Sequence, residues 1–229
     1  MLVYNINELY CDNIYRKFSV VTLNCQAHRI LSDSFILNNY REIIEERNIV
    51  GNAQTDIHER FMYDTPYSNM IFKSYALENV KIALALEIHL KSLVLYKGYL
   101  VHYVKQNNRF YKEQKKLKRP ISIIEYLEEY QEEDRFTELS DQSLIFSDLV
   151  SDKFVNILCL KPGIKEIIDI FIKQRNTIHL PINPPPKLLI SNDNLCELVK
   201  YINENIIDFT YEVSNLNGFN SRNLNLNKF

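Results

Sequence analysis

Residues 74–98 read SYALENVKIALALEIHLKSLVLYKG. Drawn as a helix, this stretch carries apolar side chains nearly all the way round. A helix of that kind belongs at the centre of a bundle, with neighbours on several sides. The pattern extends it to about Ser68–Lys97, with Gly98 placed as its C-cap. Leu84, Ile88 and Val94 are expected among its core residues. Glu87, His89 and Lys91 interrupt the run, which is too short and too polar to span a bilayer.

Working outward, other helical stretches have the lengths that a bundle needs. Toward the C-terminus, residues 99–110 read as a wetter helix in the same direction. ISIIEYLEEY (121–130) is amphipathic and opened by Pro120. A further stretch, Leu144–Leu160, is stopped by Lys161-Pro162-Gly163. Ile164–Leu180 places Ile164, Ile167, Ile168, Phe171 and Ile172 on one side and ends before Pro181 and Pro184-Pro185-Pro186. The last helix, about Asn194–Val213, has a stripe of Leu195, Leu198, Val199, Ile202, Ile206 and Phe209, with Asn194 and Glu197 spaced as a capping box. Toward the N-terminus, helical periodicity is weaker, around Ile6–Phe18 and Ser34–Arg47. Val20-Val21-Thr22-Leu23 reads as a short strand without a partner, and residues 48–67 as a loop. The expectation is an all-α bundle, with no sheet of three or more strands between residues 68 and 213. Residues 1–65 would form an N-terminal helical extension, 66–213 the helical domain, and 214–229 a polar, frayed tail.

Composition narrows the function classes. The chain has 229 residues, 46% hydrophobic and 24% charged, a length that can bury a sizeable core. Its 4 glycines are isolated, at 51, 98, 163 and 218, so no phosphate-cradling Gly-rich loop can be written. A net charge of -2 argues against a wholly basic nucleic-acid binder. Cys11, Cys25, Cys159 and Cys196 form no CxxC, which suits a reducing compartment and no clustered metal site. The N-terminus has no basic region followed by an apolar core, and the expected location is cytoplasmic. There is no HExxH and no GxSxG. His28, His58 and His102 have no partner at ligand spacing, and His102 reads as structural or surface.

Charge is arranged in blocks. Lys105, Arg109, Lys112, Lys115, Lys116, Lys118 and Arg119 face a single acid, Glu113, and an acidic run follows from Glu125 to Asp134. The plain reading is two solvated helix faces that offset each other. The sharper one is an RNA-facing edge in which Lys112, Lys115 and Lys116 meet phosphates and Phe110 and Tyr111 stack on bases.

Two further features point to chemistry. In the central helix Glu87 and Lys91 lie four apart and share a face, whereas His89 points elsewhere. Some 80 residues later comes Arg175-Asn176-Thr177-Ile178-His179, with Arg175 and His179 one helical turn apart. Arginine neutralises a phosphate bidentately, histidine exchanges protons near neutral pH, and asparagine orients either. On residue types alone, a charge at a helix C-terminus beside a packed histidine is the commoner explanation of the motif.

Together, ALALEIHLKSLVLYKG (83–98) and IIDIFIKQRNTIH (167–179) resemble the HEPN family in pattern, order and separation. The resemblance covers roughly residues 68–213, and its Arg-Asn-x-x-His motif is a shortened form of the family's. It implies a HEPN-like helical bundle and a metal-independent endoribonuclease of toxin–antitoxin or antiphage systems. Arg175, Asn176 and His179 would stand at the RNA phosphate, with Glu87 as the central-helix acid. The implied partners are RNA, a second copy of the chain and an antitoxin or other defence protein, with no membrane and no cofactor. Since the motif has one histidine per chain, and proton removal and return are two tasks, a two-fold pairing across the motif is expected. The alternative is a non-catalytic HEPN module binding RNA, a nucleotide or a partner protein. A purely structural helical domain is the plainest class.

Overall fold

The computed structural model describes residues 6–50, 65–107, 114–129, 137–177, 190–219 and 224–229. In chain order the elements are α1 (Ile6–Cys11), α2 (Asn13–Ser32), α3 (Phe35–Asn38), α4 (Tyr40–Val50) and α5 (Thr65–Tyr96). Then come β1 (His102–Asn107), β2 (Gln114–Lys116), α6 (Ile123–Glu129), β3 (Thr137–Ser143), α7 (Phe146–Leu149) and α8 (Asp152–Leu158). They are followed by α9 (Pro162–Thr177), α10 (Asn192–Ile202), a π-helical turn (Asn203–Asp208) and α11 (Phe209–Leu216). The chain is mostly helical, and a small antiparallel sheet of order β2-β1-β3 is added to the helices.

Helix α5 is the axis of the core. Ile82, Ala83, Ala85, Leu86, Leu90, Val94 and Leu95 are fully buried, against α2 on one side and α9 on another. One stripe stays wetter. Leu77 and Leu84 are exposed, Ile88 is half-buried, and Glu87 and Lys91 lie beside them. The expectation that Leu84 is a core residue is therefore wrong, whereas Val94 is buried as expected. The reason is geometric: positions 77, 84, 88 and 91 recur at helical spacing on one face, and that face is not fully covered. Gly98, at φ 80°, closes the helix, with Gly98 N–H and Tyr99 N–H donating to the carbonyls of Leu95 and Val94.

The N-terminal residues share this core. Asp12 caps α2 by accepting from Ile14 N–H at 2.7 Å and Tyr15 N–H at 3.2 Å. Val20, Val21, Asn24, Ala27, His28 and Leu31 then form the buried face of α2. Val20–Leu23 is thus helix, not the short strand its β-branched residues suggested. Helical spacing of the buried side chains outweighs the weak β preference of two valines.

The sheet is the main departure from an all-α expectation: its three strands lie between residues 102 and 143, where no sheet of three or more strands was expected. Residues 102–107, read as a wetter helix, form β1, which pairs with β2 and β3. Val101, Tyr103 and Val104 are buried there. The strand exists because β3, some thirty residues later, supplies its pairing partner, and local periodicity cannot register such a contact. The basic block falls partly on these strands, so it is not one helix face. Tyr99 and Ser122 form an isolated bridge, and Ile123 N–H donates to Gly98 O, which docks α6 against the end of α5.

In α9, Ile164, Ile167, Ile168 and Phe171 are buried, as its periodicity requires. Pro162, expected to stop the previous helix, is the first residue of this one, where its missing N–H costs nothing. The expected capping box at Asn194 is also corrected. Ser191 is the N-cap of α10 and accepts from Asn194 N–H at 3.2 Å, while the Glu197 carboxylate lies over Gly163, at the start of α9.

Candidate functional site

The site begins with the spacing of Glu87 and Lys91, one turn apart on the wetter stripe of α5. Lys91 Nζ donates to Glu87 Oε1 at 2.8 Å and to Ser143 Oγ, at the end of β3, at 3.0 Å. The other oxygen of the same carboxylate, Oε2, accepts from Arg175 Nη1 at 2.6 Å. Arg175 arrives from the last turn of α9, 88 residues away in sequence. A carboxylate with only 12% of its side chain exposed is therefore held between two cations. Arg175 is the most accessible of the three, at 39%, and faces solvent beyond the pair. The sandwich leaves a net positive charge, which suits an anion approaching Arg175.

Strand β1 supplies the neighbouring wall. Tyr103, buried, donates its hydroxyl proton to Asp148 Oδ2 on α7 and accepts from Ile145 N–H at 3.2 Å. Burial first, then this hydrogen bond, pushes its pKa up to about 12, and the negative charges of Asp148 and Glu87 act in the same direction. Tyr103 thus remains a neutral phenol at physiological pH. Lys116 of β2 stands 5.7 Å above its ring and bonds to the Gln142 side chain. The register is irregular here: His102 pairs with Ser143 but Val104 with Leu139, so Ser140, Asp141 and Gln142 stand opposite Tyr103 alone. Bulges of this kind re-aim side chains at sheet margins.

His102 joins the same neighbourhood. Tyr10 Oη accepts from Val101 N–H at 3.2 Å and shares a 2.6 Å hydrogen bond with His102 Nδ1. With the hydroxyl as donor, His102 carries its own proton on Nε2. Burial lowers its pKa, Lys91 adds to that effect, and Asp141 opposes it. The imidazole is neutral near pH 7, and of the structural and surface roles its sequence context left open it has the structural one.

The expected site residues are therefore placed unevenly. Arg175 and Glu87 meet directly. Asn176 lies on the last turn of α9, with its side chain outside the described residues, as is all of His179. Of the three lysines, Lys116 is exposed beside Tyr103, Lys115 pairs with Gln106 in the sheet, and Lys112 lies outside the described residues. Sequence reasoning missed Ser143, Tyr103, Asp148 and the Tyr10–His102 pair. Strand pairing and helix packing gather these from four separate elements, and no local motif marks them.

On another face of α5, His89 is fully buried, and its Nδ1 and Nε2 lie 2.9 Å from Asn24 Oδ1 and 3.1 Å from Tyr201 Oη. Burial holds its pKa down to about 3, so it is neutral and structural. Among the described residues, no group of three or more His, Cys, Asp or Glu is arranged to hold a metal ion. Within the same residues, no helix is long and apolar enough to cross a membrane.

No protein-family model, no curated protein and no solved structure matches the chain.

Proposed function

We propose that the chain is a HEPN-type, metal-independent endoribonuclease of a toxin or antiphage setting, with Arg175 at the RNA phosphate. The observation that carries this reading is the 2.6 Å contact between Arg175 and Glu87. The two sequence features behind the HEPN resemblance, far apart in the chain, meet at one partly open surface. Lys116, exposed above Tyr103, extends that surface with a second cation for the nucleic-acid backbone.

In this reading the ribose 2′-oxygen attacks the adjacent phosphorus while the bond to the 5′-oxygen breaks. His179 takes the 2′-hydroxyl proton, Arg175 neutralises the charge gathering on the phosphate oxygens, and Asn176 orients the groups. The leaving 5′-oxygen needs a proton from a second group. A second copy of the chain, paired across the motif, supplies it through its own histidine. The products carry 2′,3′-cyclic phosphate and 5′-hydroxyl ends.

A second reading draws on the same contact. An arginine already bonded to a carboxylate is a structural ion pair, which favours a non-catalytic module that binds RNA, a nucleotide or a partner protein. Incubating the protein with mixed RNA in EDTA, beside Arg175→Ala and His179→Ala, separates the two. Cleavage that survives EDTA and is lost in both variants supports the enzyme. Binding without cleavage selects the module. Light scattering reads the stoichiometry, and restored cleavage in mixtures of the two inactive variants would show that both chains serve one cleft. A monomer that cleaves RNA would overturn the paired-site proposal.

A further inference from the structure

Residues 224–229, LNLNKF, were expected to fray, yet they lie along a groove between α2, the π-helical turn and α11. Their main chain is read by side chains of the groove. Tyr211 Oη donates to Leu224 O at 2.9 Å and accepts from Leu226 N–H at 3.1 Å. His28 Nε2, in the groove floor, lies 3.0 Å from Asn227 O, donating to it. The Asn203 carboxamide clasps Phe229 on both sides, accepting from its N–H at 3.1 Å and donating to its carbonyl at 3.2 Å. Their side chains are sorted as well. Leu224 and Phe229 pack against the core, Phe229 with its ring centroid 6.1 Å from that of His28. Asn225, Asn227 and Lys228 are exposed, with Lys228 Nζ 2.7 Å from Asp208 Oδ2.

Main-chain hydrogen bonds from fixed side chains, apolar seats for Leu224 and Phe229 and one ion pair are together the elements of recognition of an extended peptide. The polar clasps do not depend on the bound sequence. The apolar seats and Asp208 do, and they select leucine at the first position, lysine or arginine at the fifth and phenylalanine at the sixth. We propose that this groove is a peptide-recognition site for a partner protein presenting an extended Leu-x-x-x-(Lys/Arg)-Phe segment, and that the chain's own 224–229 segment occupies it in the resting state. A tethered segment competes at an effective concentration on the order of millimolar. The partner therefore binds only when it outcompetes the tail or when the tail is drawn away. This site is separate from the Arg175–Glu87 surface and does not rest on the ribonuclease reading.

The test uses the full chain with Leu224→Asp, Lys228→Glu and Phe229→Asp, which removes the tail's two apolar anchors and turns its ion pair with Asp208 into a repulsion while leaving the residues of the groove unchanged, and a fluorescent amidated peptide of residues 223–229. Anisotropy should show saturable binding to this variant, at least tenfold weaker binding to the unaltered chain, and loss of binding when Asn203→Ala is added. A peptide with Lys228→Glu should bind poorly and recover on a chain carrying Asp208→Lys. Absence of saturable binding to a folded tail variant would overturn the proposal. Should that variant not fold, amide exchange on the unaltered chain decides. Peptide in excess of the tethered concentration must lower the protection of residues 224–229, and unchanged protection would refute the groove as a peptide site.

Discussion

Acidification should unfold this chain through His89. Its ring is 0% exposed, bonded to Asn24 and Tyr201, and held neutral with a pKa near 3, against 6.5 for the free side chain. The folded pKa is depressed, so between pH 6.5 and 3 the unfolded chain binds a proton that the folded chain does not. The stabilising contribution is therefore complete above pH 6.5 and is lost as pH falls through this window. At about 1.4 kcal/mol per pKa unit, the loss reaches roughly 2 kcal/mol by pH 5 and approaches about 5 kcal/mol below pH 3. That is a large fraction of the stability of a typical domain. Urea unfolding at pH 8, 7, 6 and 5, at constant ionic strength, measures it. Comparison with His89→Gln cancels the carboxylates and the other histidines, which titrate in both chains. The expected result is a difference between the chains that narrows by about 2 kcal/mol from pH 8 to pH 5, because only the native chain loses the His89 contribution. Parallel pH dependence in the two chains would refute the assignment of a buried, neutral imidazole.

The other predictions concern the same framework. Glu87→Ala removes the carboxylate between Lys91 and Arg175 and should cost about 1–3 kcal/mol, between the values for exposed and buried pairs. A double-mutant cycle with Arg175→Ala in urea should return a coupling of the stabilising sign that shrinks in high salt, and zero coupling would remove the ion pair from the account. On α5, Leu86→Ala should cost about 2–5 kcal/mol and Leu84→Ala under about 1 kcal/mol, since only the first is fully buried. Equal losses would mean that the wetter stripe is wrongly placed. Cys159 sits in the left-handed region at φ 54°, at the C-cap of α8, and is exposed. Cys159→Gly should raise stability by about 0.5–1 kcal/mol, read as a higher Tm, and a lower Tm would contradict the strain argument.

Much of the helical framework was legible in the sequence, for identifiable reasons. Dense apolar periodicity located α5 and α9, and Gly98 marked the end of α5, because helix burial and capping act over a few residues. The same reasoning misjudged Leu84, since periodicity reveals which residues share a face but not how completely a neighbour covers it. It also turned β1 into a helix. A strand of six residues has no local signature strong enough to reveal a partner far along the chain, and here the partner strand is what stabilises it.

The candidate site divides in the same way. Glu87 and Lys91 were readable as a pair, because an interval of four residues on a helix leaves little freedom. Arg175 was readable as a cation near a helix end. Their meeting, with Ser143, Tyr103 and Asp148 gathered around them, was decided by the packing of α9 on α5 and by a slipped strand register. The tail shows the contrast most plainly. LNLNKF is polar enough to look solvated, and only a groove built from residues near positions 28, 203 and 211 gives its main chain partners. By itself the sequence determined where the strongly periodic helices α5 and α9 form and which residues are chemically able. The tertiary structure decided which of them meet, because meeting depends on long-range burial that no short window of residues contains.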